Sequence, residues 1–287
     1  MVFLDPTNDI AFKRLFGNQA KSEILISFLN SVLELAEGDK ITSVIITDPY
    51  NLPDAQWLKT SIVDVRCTDQ SNRQFIIELQ VDIQKDYPAR SQYYVALAIT
   101  RQLAKKAQYK TIMPVIFVGI LDFNLFKSPD YHSTHHILNI KTHEHALQHM
   151  SFTFVELPKF QKSLEQLETI MDKWLFLLKN ADELDSIPKQ FKTEHEFDDA
   201  FDLLNQGSMS KQELDAYDRV QDALRVEKSV LEAQFEDGEK KGEKKGEKKG
   251  RREEALKIAK QMLSKGIDLQ TIAACTGLSL EELKKLN

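Results

Sequence analysis

Residues 61–84 read SIVDVRCTDQSNRQFIIELQVDIQ, and the alternation in this stretch decides how the chain folds. Successive side chains of a strand point to opposite faces. Phe75, Ile77, Leu79, Val81 and Ile83 therefore fall on one face, and Glu78, Gln80, Asp82 and Gln84 on the other. The preceding run splits in the same way, with Ile62, Asp64 and Arg66 opposed to Val63, Val65 and Cys67. Folding the two runs symmetrically about Ser71, with DQSNR as the loop, sets Cys67 opposite Phe75 and Asp64 opposite Glu78. Directly opposed Cβ atoms lie about 4.5–5.5 Å apart, so two bare carboxylates there repel each other. Strands this apolar belong in the interior of a sheet, where acids need a reason beyond solubility. A divalent cation between them is such a reason, and an all-oxygen set suits Mg²⁺ or Mn²⁺, which keep positions for water and substrate phosphate. Asp64 and Glu78 are the candidate metal ligands and the Leu79 carbonyl a further one. Gln80 is placed to orient water or contact a phosphate, and the chemistry that fits is phosphodiester hydrolysis. The competing reading is an exposed hairpin face whose acids keep it soluble.

Outward from the hairpin, Ile10, Phe12, Leu15, Phe16, Ile24, Leu25, Phe28, Leu29, Val32 and Leu33 recur at helical spacing. Thr7 or Asn8 caps this helix and Gly17 divides it. Residues 41–47, 58–67 and 74–83 read as strands, 89–107 as a helix and 112–121 as a buried strand. The order is helix, three strands, helix, strand. Residues 135–140 and 152–157 add strands at the far edge of the sheet, residues 163–179 form an amphipathic helix, and residues 180–237 read as helical and polar. The repeat GEKKGEKKGEKKGRR at 238–252 reads as a linker or frayed helix, because Gly at every fourth position weakens a helix.

The net charge of −6 hides an asymmetry: residues 238–252 hold six Lys and two Arg against three Glu, which leaves the rest of the chain at about −11. An acidic body argues mildly against a general nucleic-acid scaffold, although metal-binding carboxylates contribute to such a charge. Two cysteines, Cys67 and Cys275, far apart in sequence, fit a reducing compartment. The absence of a long apolar run predicts a cytoplasmic protein with no membrane span.

Together DPTNDIAFKRLFG, IVDVRC followed by FIIELQ, RSQYYVALAITRQL, PVIFVGILDFNLF and MDKWLFLLKN resemble the recombination-promoting nuclease (Rpn) family, also labelled PD-(D/E)XK nuclease family transposases. The resemblance covers about residues 1–235. It implies an α/β fold with a restriction-endonuclease-like αβββαβ core, a mixed sheet flanked by helices, and a helical C-terminal extension. The expected divisions are a nuclease core at 1–160, a helical extension at 161–237, a linker at 238–252 and a small helical tail at 253–287. The implied activity is a Mg²⁺- or Mn²⁺-dependent DNA endonuclease linked to recombination or mobile elements, with Asp64 and Glu78 as the motif's acids. The motif ordinarily ends in Lys. Gln80 stands there instead and can supply no positive charge, so Lys59, Arg66 or Lys85 are candidates to supply it. A nuclease fold persisting as a DNA- or protein-binding scaffold is the alternative.

Further residues carry weaker signals. Asp9 and Lys13, one turn apart, either complete the site from the first helix or form an ordinary surface pair. Arg90, Gln92 and Tyr93 either approach DNA phosphates or belong to a helix surface. His132, His135, His136, His143, His145 and His149 crowd one stretch. They read as a polar edge hairpin in preference to a metal site, since no Cys joins them. In the tail, Asp268 caps one short helix and Ser279 with Glu282 forms a capping box for a last one, which resembles a helix-turn-helix. Glu281 and Glu282 at the start of that last helix would repel phosphate, which favours a docking or homo-oligomerisation module over base reading.

Overall fold

The computed structural model describes residues 2–47, 64–84, 86–103 and 108–286, with residues 227, 228, 231, 232 and 234–239 described by their backbone alone. Helix α1 (Asp9–Phe16) begins at Asn8, whose side chain accepts from the Ile10 amide at 2.9 Å, and ends at Gly17. Helix α2 (Ser22–Val32) follows, then strands β1 (Val44–Thr47), β2 (Val65–Asp69) and β3 (Gln74–Gln80). Helix α3 (Tyr87–Arg101) leads to β4 (Val115–Leu121), β5 (His132–Ile137) and β6 (Leu147–Glu156). The remaining helices are α4 (Ile170–Asn180), α5 (His195–Leu204), α6 (Lys211–Ser264), α7 (Leu269–Thr276) and α8 (Leu280–Lys284). The strands form one mixed sheet in the order β1-β2-β3-β4-β6-β5, antiparallel at both edges and parallel where β4 lies between β3 and β6. This is an α/β arrangement, a mixed sheet flanked by helices with a helical C-terminal region, as the resemblance implies.

The β2–β3 register pairs Val65 with Ile77 and Cys67 with Phe75. Asp69 fixes the loop. Its Oδ1 accepts from the amides of Ser71 and Arg73, its Oδ2 accepts from Arg73 Nε at 2.7 Å, and Asn72 takes a left-handed φ of 61°, which Asn tolerates well. Strand β3 is buried on both faces. Phe75, Ile77 and Leu79 join a core with α1, α2, α4 and α5, while Ile76 joins a second cluster beneath α3 with Tyr87, Val95, Phe117 and Phe154. That double burial explains its near-continuous apolar run.

Several expectations shift. Strand β3 stops at Gln80, short of Ile83, because its partner β4 ends at the matching residue Leu121, and Ile83 is exposed. The amphipathic segment at 163–179 holds a short 3-10 turn at Leu164–Gln166 and becomes α-helical only from Ile170, where Thr169 and Asp172 make a capping box. The stretch read as polar contains α5, which buries Phe197, Ala200, Phe201 and Leu204 in the main core beside Trp174. The Gly/Glu/Lys repeat is helical within α6. Gly242, Gly246 and Gly250 find nothing within 4 Å of a would-be Cβ, and i,i+4 pairs such as Arg251 with Glu247 line the turns.

Two compact units divide within α6, residues 1–221 and 222–287. The second has a small core of its own in Ala259, Ile272, Leu278 and Leu283. Gly277, at a φ of 70°, closes α7 in the left-handed conformation that favours Gly.

Candidate active site

The two acids of the hairpin lie close enough for the Asp64 charge to raise the Glu78 carboxyl. Asp64 lies one residue before the paired part of β2, and its Oδ2 accepts the Leu79 amide at 2.8 Å, which ties it to the strand that carries Glu78. Lys13 of α1 brings its ammonium to 3.7 Å from Asp64 Oδ1. Burial pushes the Asp64 carboxyl up to about 6; the Leu79 amide opposes this, the Asp9 charge adds to it, and Lys13 pulls back. Of the two α1 candidates, Lys13 contacts Asp64, and Asp9 is exposed.

Glu78 is 5% exposed and sits under α3. Its Oε1 accepts from Arg90 Nη2 at 2.6 Å, while its Oε2 is buried with no hydrogen-bond partner. Burial pushes its carboxyl up to about 7, the Arg90 charge opposes, and Asp64 raises it further. Arg90 also donates to the side-chain oxygens of Gln80 and Gln84, and its guanidinium lies 5.1 Å from the Tyr87 ring centre and 5.9 Å from that of Tyr94. These positions, three before and four after Arg90, share one helix face, so α3 clamps the guanidinium between two rings and aims it at the motif. Gly119 of β4 pairs with Glu78, and a Cβ there would come within 2.9 Å of both Tyr87 Oη and Phe154 Cδ1. The Tyr87 hydroxyl is buried without a partner, and burial first, then Glu78, holds it well above its ordinary range.

Arg90 is the residue whose place the sequence left open. Its signal is the spacing Tyr87, Arg90, Tyr94 directly after the motif, readable only once α3 is known to cover the Glu78 face. Gln92 bonds back to the Pro88 carbonyl and Tyr93 faces solvent. Of the proposed charge donors, Lys59 and Lys85 lie outside the described residues. Arg66 points elsewhere on the same sheet face, toward Arg101. The histidines occupy the β5–β6 edge: His136 and His145 stack with ring centres 4.4 Å apart, and His132 bonds to the Val32 carbonyl.

Among the described residues no three His, Cys, Asp or Glu converge. At Asp64 and Glu78 the acids number two, which fits an ion that keeps several waters and takes one or two carboxylates, as Mg²⁺ does. The unpartnered Glu78 Oε2 is a further point of fit, since a buried carboxylate oxygen left without a bond is costly.

In the second unit, the Glu282 carboxylate is already engaged, accepting from the Ser279 amide and hydroxyl and from Arg252. Its repulsion of phosphate is thereby reduced, which weakens the objection to DNA contact. Among the described residues no helix is long and apolar enough to cross a membrane.

Residues 252–287 match the Rpn/YhgA-like nuclease family, C-terminal HTH domain, which weighs toward DNA and against the docking module that Glu281 and Glu282 suggest. No curated protein and no solved structure matches significantly. Residues 6–234 match the family described as PD-(D/E)XK nuclease family transposase. Because that match spans well over half of the chain and takes in both hairpin strands, the chain belongs to the PD-(D/E)XK nuclease family transposases.

Proposed function

We propose that this chain is a metal-dependent DNA endonuclease, hydrolysing phosphodiester bonds in the service of recombination or mobile-element movement. The carrying observation is the half-buried Asp64, just before β2 and bonded to the Leu79 amide, beside the buried Glu78 of β3, whose Oε2 has no hydrogen-bond partner. Asp64, Glu78 and the Leu79 carbonyl would hold Mg²⁺ or Mn²⁺. Such an ion, when bound, would supply charge to polarise the scissile phosphate and activate a water for attack. Gln80 orients the water through its amide. Arg90 provides the positive charge that the motif's usual Lys would bring, since its guanidinium already contacts the Gln80 side chain. Charge placed beside developing negative charge in a water-poor site is a large source of rate enhancement. Lys13 offsets the Asp64 charge from α1. The helix-turn-helix match supports DNA as the partner.

Purified protein incubated with plasmid DNA, with and without Mg²⁺ or Mn²⁺, tests this reading. Cleavage that requires the ion and disappears in Asp64→Ala and Glu78→Ala is expected. Undiminished cleavage by both variants would remove the assignment. A second reading, a nuclease-fold scaffold with little catalysis, draws on Gln80 and on the Arg90 ion pair that already occupies Glu78 Oε1. DNA bound but never cut under every ion tested would select it.

A further inference from the structure

One step along β2 from the two acids, on the same face, lies a cleft of about 390 Å³ lined by Thr47, Arg66, Thr68, Gln74, Arg101 and Gln102. Arg66 pairs with Ile76, with Val65–Ile77 the rung between them and the level of Asp64 and Glu78, two residues or ~6.6 Å along the strand. Its Nε is buried with no hydrogen-bond partner, and no ion pair among the described residues joins Arg66 or Arg101 to an acid. Burial, and after it the Arg101 charge, hold the Arg66 guanidinium below its ordinary range. Two cations lining one cleft, with no acid paired to either among the described residues, favour an anion there. Arg101 follows Arg90 by eleven residues, three turns of α3, so both project from one side of that helix about 16 Å apart. Arg90, Arg66 and Arg101 therefore form a cationic strip across an acidic body, leading away from the acids. A single small anion would need only one end of such a strip, whereas a strand with regularly repeated phosphates uses its whole length.

We propose that Arg66 and Arg101 form a seat for a backbone phosphate of a nucleic-acid strand, neighbouring the phosphate held at Asp64 and Glu78. The direction of the strand rests on the nuclease reading; the anion seat does not. Thr47, Thr68 and Gln74 offer hydroxyl and amide groups to the remaining phosphate oxygens, contacts that position a strand without reading its bases.

The test measures binding of a short fluorescent DNA duplex to the full chain across a salt series, with Ca²⁺ in place of Mg²⁺ so that the duplex stays intact. Each neutralised phosphate contributes about −0.9 to the slope of log K against log salt, so Arg66→Gln and Arg101→Gln should each flatten that slope by ~1. Arg66→Lys should restore most of it. Arg101 is exposed, so its variant keeps the test valid if Arg66→Gln fails to fold. Unchanged slopes in Arg101→Gln and in folded Arg66→Gln, or a wild type that does not bind the duplex, would overturn the seat. Inorganic phosphate bound as tightly as the duplex would overturn its assignment to a nucleic-acid backbone. If slopes stay unchanged while Asp64→Ala still abolishes cleavage, the seat falls and the nuclease reading stands. Flattened slopes in a protein that never cuts leave the seat standing and remove the nuclease.

Discussion

At the scale of single residues, Glu78 carries opposed demands. Burial favours its neutral form, Arg90 favours its charged form, and burial wins, with Asp64 acting in the same direction. For both acids the folded-state value lies above the ordinary one, so the folded protein binds more protons than the unfolded chain between about pH 4 and 7. Stability from these groups is then full below the unfolded values and lost as pH rises through 6 and 7. Metal-free protein should melt at a lower temperature near pH 8 than near pH 5, and Mg²⁺ should raise the melting temperature more at the higher pH, since only ionised acids bind it. Scanning calorimetry at both values, with and without the ion, checks this; an ion effect equal at both would contradict it. Arg90→Gln should lower single-turnover cleavage by ~10²-fold, the usual order for losing one charge-stabilising donor. The pH profile should also move upward, because Glu78 loses the charge that holds its carboxyl down. A rate and profile like those of the wild type would take Arg90 out of the chemistry.

At the scale of elements, the contact between α3 and β4 sets the floor of the site. Gly119 is opposite Glu78, and the space a side chain would need is filled by Tyr87 and Phe154. Gly119→Ala should destabilise the fold by about 1–3 kcal/mol, the typical range for forcing a methyl into a packed core. Tyr87→Phe removes a buried hydroxyl that has no partner, so it should leave stability unchanged or raised. In combination it should recover part of the Gly119→Ala loss, since the hydroxyl is one of the two obstructing atoms. Denaturant midpoints of the two single variants and the double variant form the cycle that decides, and strict additivity would argue against the clash.

At the scale of the whole molecule, two units serve one proposed substrate. The first joins Phe3 to Tyr217 in one core, with Asn8 bonded to the Tyr217 carbonyl, so the early part of α6 is bound into the same fold as the sheet. The second stands on its own small cluster. Removing residues 252–287 should weaken DNA binding at moderate salt and reduce its salt dependence, while ion-dependent cleavage persists at low salt. Titration of a labelled duplex beside the plasmid assay would show it, and undiminished affinity would return the tail to a docking role.

The run of strands and helices was readable because hydrophobic period is a local property: two-residue alternation in 65–80, helical spacing in 10–33, and a short apolar run before Leu121. The hairpin pairing of Cys67 with Phe75 followed from the same alternation and a loop centred on Ser71. Local pattern could not say which helix covers which face. That α3 folds across Glu78 and brings Arg90 to it, that Arg66 turns to Arg101, and that α5 belongs to the core follow from parallel pairing of β3 with β4 and from packing between segments far apart in sequence. The chain by itself pointed to Asp64 and Glu78 as candidates and to the hairpin that carries them. The tertiary structure decided which cations surround them, because the field at a buried carboxylate depends on distances in space, and neighbours in sequence do not fix those.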